Sequence, residues 1–193
     1  MSASAVRMFP LALLLAPAIV LAAPSSPTVT DPSLPRALTA AGPVQVTWED
    51  PAGFTEIRYS GNRHEARKGT WVSDLADYLA SESATALAPG QRLTVNLTDI
   101  DLAGDFEPWL GRNMQEVRMM RDIYPPKIAL SYTLHDANGQ VLAQGDRTLS
   151  NLGYLQGLNT ARKSTDNLRY EKHLIDRWVQ QEFGPNAKLT ANK

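Results

Sequence analysis

Between Lys127 and Ala143 the chain carries its most restrictive pattern. Ile128, Leu130, Tyr132 and Leu134 alternate with Ala129, Ser131 and Thr133, and Asp136-Ala137-Asn138-Gly139 then precedes Val141-Leu142-Ala143. Successive side chains of a strand point to opposite faces, so this alternation gives a strand with one apolar and one more polar face. The glycine stands where a hairpin of this length needs positive φ, and Val141 begins the returning strand. An antiparallel hairpin follows, and the rest of the chain must cover its apolar face.

The same period recurs at Val44, Val46 and Trp48, closed by Asp50-Pro51-Ala52-Gly53, and again at Leu93, Val95 and Leu97. Ile100 and Leu102 then have the opposite parity, which a β-bulge near Thr98 or Asp99 restores. Val117, Met119 and Ile123 predict another strand, interrupted by Pro125-Pro126. Helical spacing places Trp71, Val72, Leu75, Tyr78 and Leu79 on one face between Gly69 and Pro89. A last helix, capped by Asp166 or Asn167, carries Tyr170, Leu174, Ile175, Trp178, Val179 and Phe183 before Gly184-Pro185 stops it. Leu149 to Asn167 reads as a loop. The order β-α-β-β-β-β-α predicts an α+β fold: a two-layer sandwich whose antiparallel or mixed sheet of about five strands carries two helices on one face.

The ends divide the chain. Arg7 precedes an apolar run from Met8 to Val20, and Val20-Leu21-Ala22 presents small residues at the positions a signal peptidase reads, so residues 1–22 predict a signal peptide cut between Ala22 and Ala23. The run contains two prolines and falls short of the roughly 20 residues that span a bilayer, so no transmembrane anchor is expected after cleavage. Residues 23–43 are rich in proline and predict an extended tether, 44–185 a single domain, and 186–193 a C-terminal tail.

Charge and motif content exclude several functions. With 19 Lys+Arg against 20 Asp+Glu, the chain has no overall attraction for nucleic acid or an anionic membrane. No cysteine exists for a disulfide, a thiolate metal site or a nucleophile. His64, His135 and His173 are scattered singly, and no serine-hydrolase elbow, phosphate-binding loop or dinucleotide fingerprint is present. No cofactor is expected.

Three groups of residues remain as candidate sites. Asp99, Asp101 and Asp105, with Asp122 across the sheet, offer the oxygen ligands that suit Ca²⁺ or Mg²⁺. Aspartates at a strand end also cap turns or pair with arginines such as Arg118 and Arg121. Phe106, Trp109 and Leu110 fall on an irregular segment, where aromatics either form a binding lip or fold over the sheet. Arg63 and Arg67, with Arg58, His64 and Lys68, form a basic cluster suited to a phosphate or an anionic glycan. Glu56 and Glu65 are interspersed, which is also the pattern of an ordinary solvated surface.

The string Val44-Gln45-Val46-Thr47-Trp48-Glu49-Asp50-Pro51, the string Thr98 to Asp105, the string Arg121 to Ile128, and Leu168-Arg169-Tyr170-Glu171-Lys172 together resemble a family of secreted proteobacterial proteins whose domain has no assigned function. The likeness runs from about Val44 to Phe183. It implies a Gram-negative envelope protein in the periplasm and implies no activity. The expectation is therefore a non-enzymatic binding or envelope-assembly module, with an envelope protein or cell-wall component as partner. The alternative is a divalent-cation-dependent enzyme or ligand-binding protein built on the four aspartates.

Overall fold

The computed structural model describes residues 26–39, 42–156 and 165–184; the expected signal peptide and C-terminal tail lie outside them. Four strands, β1 (Val44–Trp48), β2 (Arg92–Asp101), β5 (Lys127–His135) and β6 (Val141–Ser150), form a sheet in the order β1-β2-β5-β6. β1 runs parallel to β2 and the other neighbours are antiparallel, so the sheet is mixed. Parallel neighbours need a long crossover, which α1 (Thr55–Tyr59), α2 (Arg63–Ala66) and α3 (Trp71–Ala86) supply. The two-residue strands β3 (Asp105–Phe106) and β4 (Arg118–Met119) pair as a separate ribbon, and α4 (Arg169–Phe183) closes the described chain. The class is α+β, with four helices among the described residues.

Alternation decides what is buried. Val44, Val46, Trp48, Leu93, Val95, Leu97, Ile128, Leu130, Tyr132 and Leu134 join the stripes of α3 and α4 in one core. Trp178 and Phe183 of α4 meet Tyr132 of β5 edge to face, with ring centroids 5.6 and 5.9 Å away, and meet each other at 5.2 Å. Tyr78 ties the two long helices together by donating its hydroxyl to Asp176 at 2.7 Å.

Two local expectations hold. Leu97 stands opposite Leu130 while Asp99 stands opposite Ala129, so Thr98 is the extra residue of a bulge, and this returns Ile100 to the core face. Gly139 turns the β5–β6 hairpin with φ of 83°.

Other expectations are corrected. Of the strand predicted over 117–123, only Arg118–Met119 pairs, and it pairs with β3 rather than joining the sheet. Ile123 is 71% exposed in a turn closed by the Tyr124 N–H on the Arg121 carbonyl. The sheet thus has four strands, and two short helices precede α3. Leu149 and Ser150, expected in a loop, extend β6, and residues 157–164 of that loop lie outside the described ones. α4 starts without a side-chain cap of its own N–H groups; Asp166 instead accepts the Leu168 N–H at 2.8 Å.

The segment expected as a tether is, over residues 26–39, a strap against the domain. Leu38 donates its N–H to the Val46 carbonyl and Trp48 donates to Arg36, each at 3.0 Å, while Val29 is buried and donates its N–H to the Arg67 carbonyl. β1 is an edge strand with free backbone groups, and the strap satisfies part of that edge. Among the described residues no helix is long and apolar enough to cross a membrane.

Candidate functional site

The four aspartates do not converge. Asp99 lies just after the bulge of β2 and accepts the Thr55 N–H and hydroxyl, each at 2.6 Å, which holds the first turn of α1. Asp105 accepts from the Ser60 hydroxyl and the Gly61 N–H at 3.1 Å and fixes the α1–α2 turn. Asp101 lies half-buried opposite Lys127; burial, then the negative charge of Glu56, pushes its carboxyl up to about 6. Asp122 is exposed. Among the described residues no group of three or more acidic or histidine side chains is arranged to hold a metal ion.

Around Asp101 lies a centre that sequence reasoning missed. Glu56 turns inward from α1, forms an ion pair with Arg118 of β4 and accepts the Leu102 N–H at 3.0 Å. Arg118 also donates to the Gly104 carbonyl at 2.7 Å and stacks over the Phe106 ring at 4.6 Å. Glu171 of α4 accepts the Ala103 N–H at 2.6 Å through Oε1, while its buried Oε2 has no hydrogen-bond partner among the described residues. Burial pushes the Glu171 carboxyl up to about 6, against the Ala103 N–H that favours its charged form. Glu107, also buried, accepts from the exposed Arg121 and from the Tyr124 hydroxyl at 2.6 and 2.9 Å. These acids are closed to solvent, so they brace the β3–β4 ribbon against α1 and α4. One signal was legible: Glu171 stands beside Tyr170 and one turn before Leu174 and Ile175, inside the apolar stripe.

The aromatic segment divides. Phe106 is core, whereas Trp109 is 68% exposed and Leu110 is exposed beside it. Neither Trp109 nor Leu110 lines the hollow beside α2 or the cleft beside β1.

The hollow beside α2 brings the predicted residues Arg63 and Arg67 together. With Arg58 and Tyr59 of α1, they line an open space of about 300 Å³. Arg67 keeps helical backbone angles after α2, so Arg63 and Arg67 stand one turn apart on one side. Asn62 caps α2 by accepting the His64 and Glu65 N–H groups at 3.2 and 3.3 Å. Gly61 holds the base rigidly, because a Cβ there would lie 2.0 Å from the Phe106 carbonyl oxygen.

The cleft beside β1 has a volume of about 500 Å³ and lies between the strap, β1 and α3. Its walls include Val29, Leu34 and Leu38 of the strap, Val44 and Trp48 of β1, and Val72 of α3. Asp31 and Asp77 stand at its rim, where the cation Arg36 is already paired with Asp50 at 3.1 Å. Nothing in the strap's proline-rich sequence announced this wall, since it exists only where the strap meets β1.

No curated protein and no solved structure matches the chain. The model of the family described as protein of unknown function DUF3016 matches residues 42–181, which take in the sheet, α3 and all but the last two residues of α4, and the chain belongs to that family.

Proposed function

We propose that this protein is a non-enzymatic binding module that holds a segment of an envelope protein in the cleft between the strap, β1 and α3. The observation that carries the reading is the cleft itself. Its volume of about 500 Å³ and apolar walls have the dimensions and character of ligand sites, which are lined mainly by apolar groups with a few polar ones to orient the ligand. The rim selects the ligand's charge. Asp31 and Asp77 leave a net negative mouth, so the fitting segment has a large apolar side chain beside a lysine or arginine.

Trp48 in the wall supplies the readout. Addition of the blocked peptide Leu-Lys-Leu should change tryptophan emission saturably, and Asp77→Asn should weaken that response. Equal binding of Leu-Glu-Leu would remove the charge argument, and silence with both peptides would remove the cleft as the site.

The place of action in this reading is the periplasm, after export through residues 1–22. The support is Arg7, the apolar run and the small residues at Val20-Leu21-Ala22. Osmotic shock should release a protein whose intact mass begins near Ala23; a full-length chain retained in the inner membrane would overturn this.

A further inference from the structure

We propose that Arg58, Arg63 and Arg67 form a second, separate binding site, for a doubly charged phosphate group. In the sequence the cluster looks neutralised, because Glu56 and Glu65 lie among the arginines. The fold undoes that mixture. Glu56 is buried and committed to Arg118, and Glu65 pairs with Lys68. Arg58, Arg63 and Arg67 have no ion pair with a carboxylate among the described residues, yet they line the same hollow. Three like charges around one concavity repel unless an anion enters it.

Guanidinium groups select the anion's shape. Each presents a planar fork of N–H donors that matches two oxygens of a phosphate. One carboxylate offers two oxygens and a single charge, too few for three such forks, whereas a phosphate monoester or pyrophosphate supplies the oxygens and the charge. Tyr59 adds an apolar wall: it is 68% exposed, and the Arg58 guanidinium sits 5.3 Å from its ring centroid. The Asn62 cap and the Gly61 contact hold the backbone of the base, so the ordering that opposes binding is confined to the three arginine side chains. The chain's near-zero net charge does not bear on this, because the positive charge is local. The phosphate can come from a soluble ester or from a lipid headgroup, and the test separates these sources.

The full-length chain is titrated with inorganic pyrophosphate by calorimetry, and separately with phosphatidylcholine vesicles with and without phosphatidic acid. Wild type should bind at least one of the two phosphate forms. The Arg63→Ala/Arg67→Ala variant should bind about a hundredfold more weakly, since each lost charge-assisted hydrogen bond costs about tenfold. Arg92→Ala, an exposed arginine on another element, should bind as wild type does. Arg63→Lys/Arg67→Lys keeps the charge and loses the forks, and should fall between. Pyrophosphate binding alone assigns a soluble phosphate compound, and phosphatidic acid binding alone a lipid headgroup. Equal losses in the Arg92 variant would reduce the effect to general surface charge, and absence of binding in both titrations would overturn the proposal.

Discussion

Glu56 and Arg58 lie on the same short helix, yet they serve opposite environments. Glu56 points into the protein, where Arg118 and the Leu102 N–H meet its carboxylate, and Arg118 in turn covers Phe106. Arg58 points out, beside Arg63 and Arg67, into water. The pairing follows burial. A charge removed from water needs a partner and hydrogen bonds, or it destabilises the fold by several kcal/mol. A solvated charge has no such need, and it remains free for a ligand. The inner centre therefore belongs to stability, whereas the outer charges stay solvated and unpaired with any carboxylate among the described residues.

Mutations of the inner acid should break this comparison most visibly if it is wrong. Glu56→Ala strands the Arg118 guanidinium and the Leu102 N–H, and should cost about 3 to 5 kcal/mol in urea unfolding, the range for breaking a buried pair from one side. A loss as small as that of a surface substitution would mean Arg118 finds water instead.

Glu171 tests the same interior through pH. Its folded carboxyl titrates at about 6, above the ordinary 4.5, so the folded protein holds this proton more tightly than the unfolded chain. The resulting stability is fully present below about pH 4.5 and is lost as pH rises through about 6. Glu171→Gln keeps an acceptor for the Ala103 N–H and removes the charge. Its stability relative to wild type should therefore rise from pH 4.5 to pH 7.5, by on the order of 2 kcal/mol. A difference independent of pH would show that the buried Oε2 is solvated after all.

The smallest effect is expected outside. Arg63→Ala/Arg67→Ala should change unfolding free energy by less than about 0.5 kcal/mol, as is usual for surface positions. A larger loss would place these arginines in the scaffold and would remove the contrast with Arg118.

Much of the scaffold was legible because its signals are periodic. The parity change between Leu97 and Ile100 located the Thr98 bulge, and Asp136 to Gly139 located the hairpin. Periodicity failed where an element was too short to show it. The Thr55–Tyr59 and Arg63–Ala66 helices have about one turn each, and β4 pairs over only two residues. The candidate residues met the same limit. Arg63 and Arg67 were singled out by composition, but their separation from Glu56 and Glu65 was invisible, and Asp99 and Asp105 looked like a ligand set until α1 and its turn claimed them.

Apolar spacing along a strand or helix is a local property that burial must respect, so the side of each long element that faces a core can be read from the residues alone. So can the pairing of β5 with β6 as neighbours, through the Gly139 turn. It took the folded chain to wall a cleft with the 26–39 strap, to let Arg118, 62 positions along the chain, draw Glu56 away from the arginine cluster, and to gather Arg58, Arg63 and Arg67 around one hollow. Those outcomes depend on which distant groups the fold brings within a few ångströms, and charge pairing leaves no period in the chain for a reader to find.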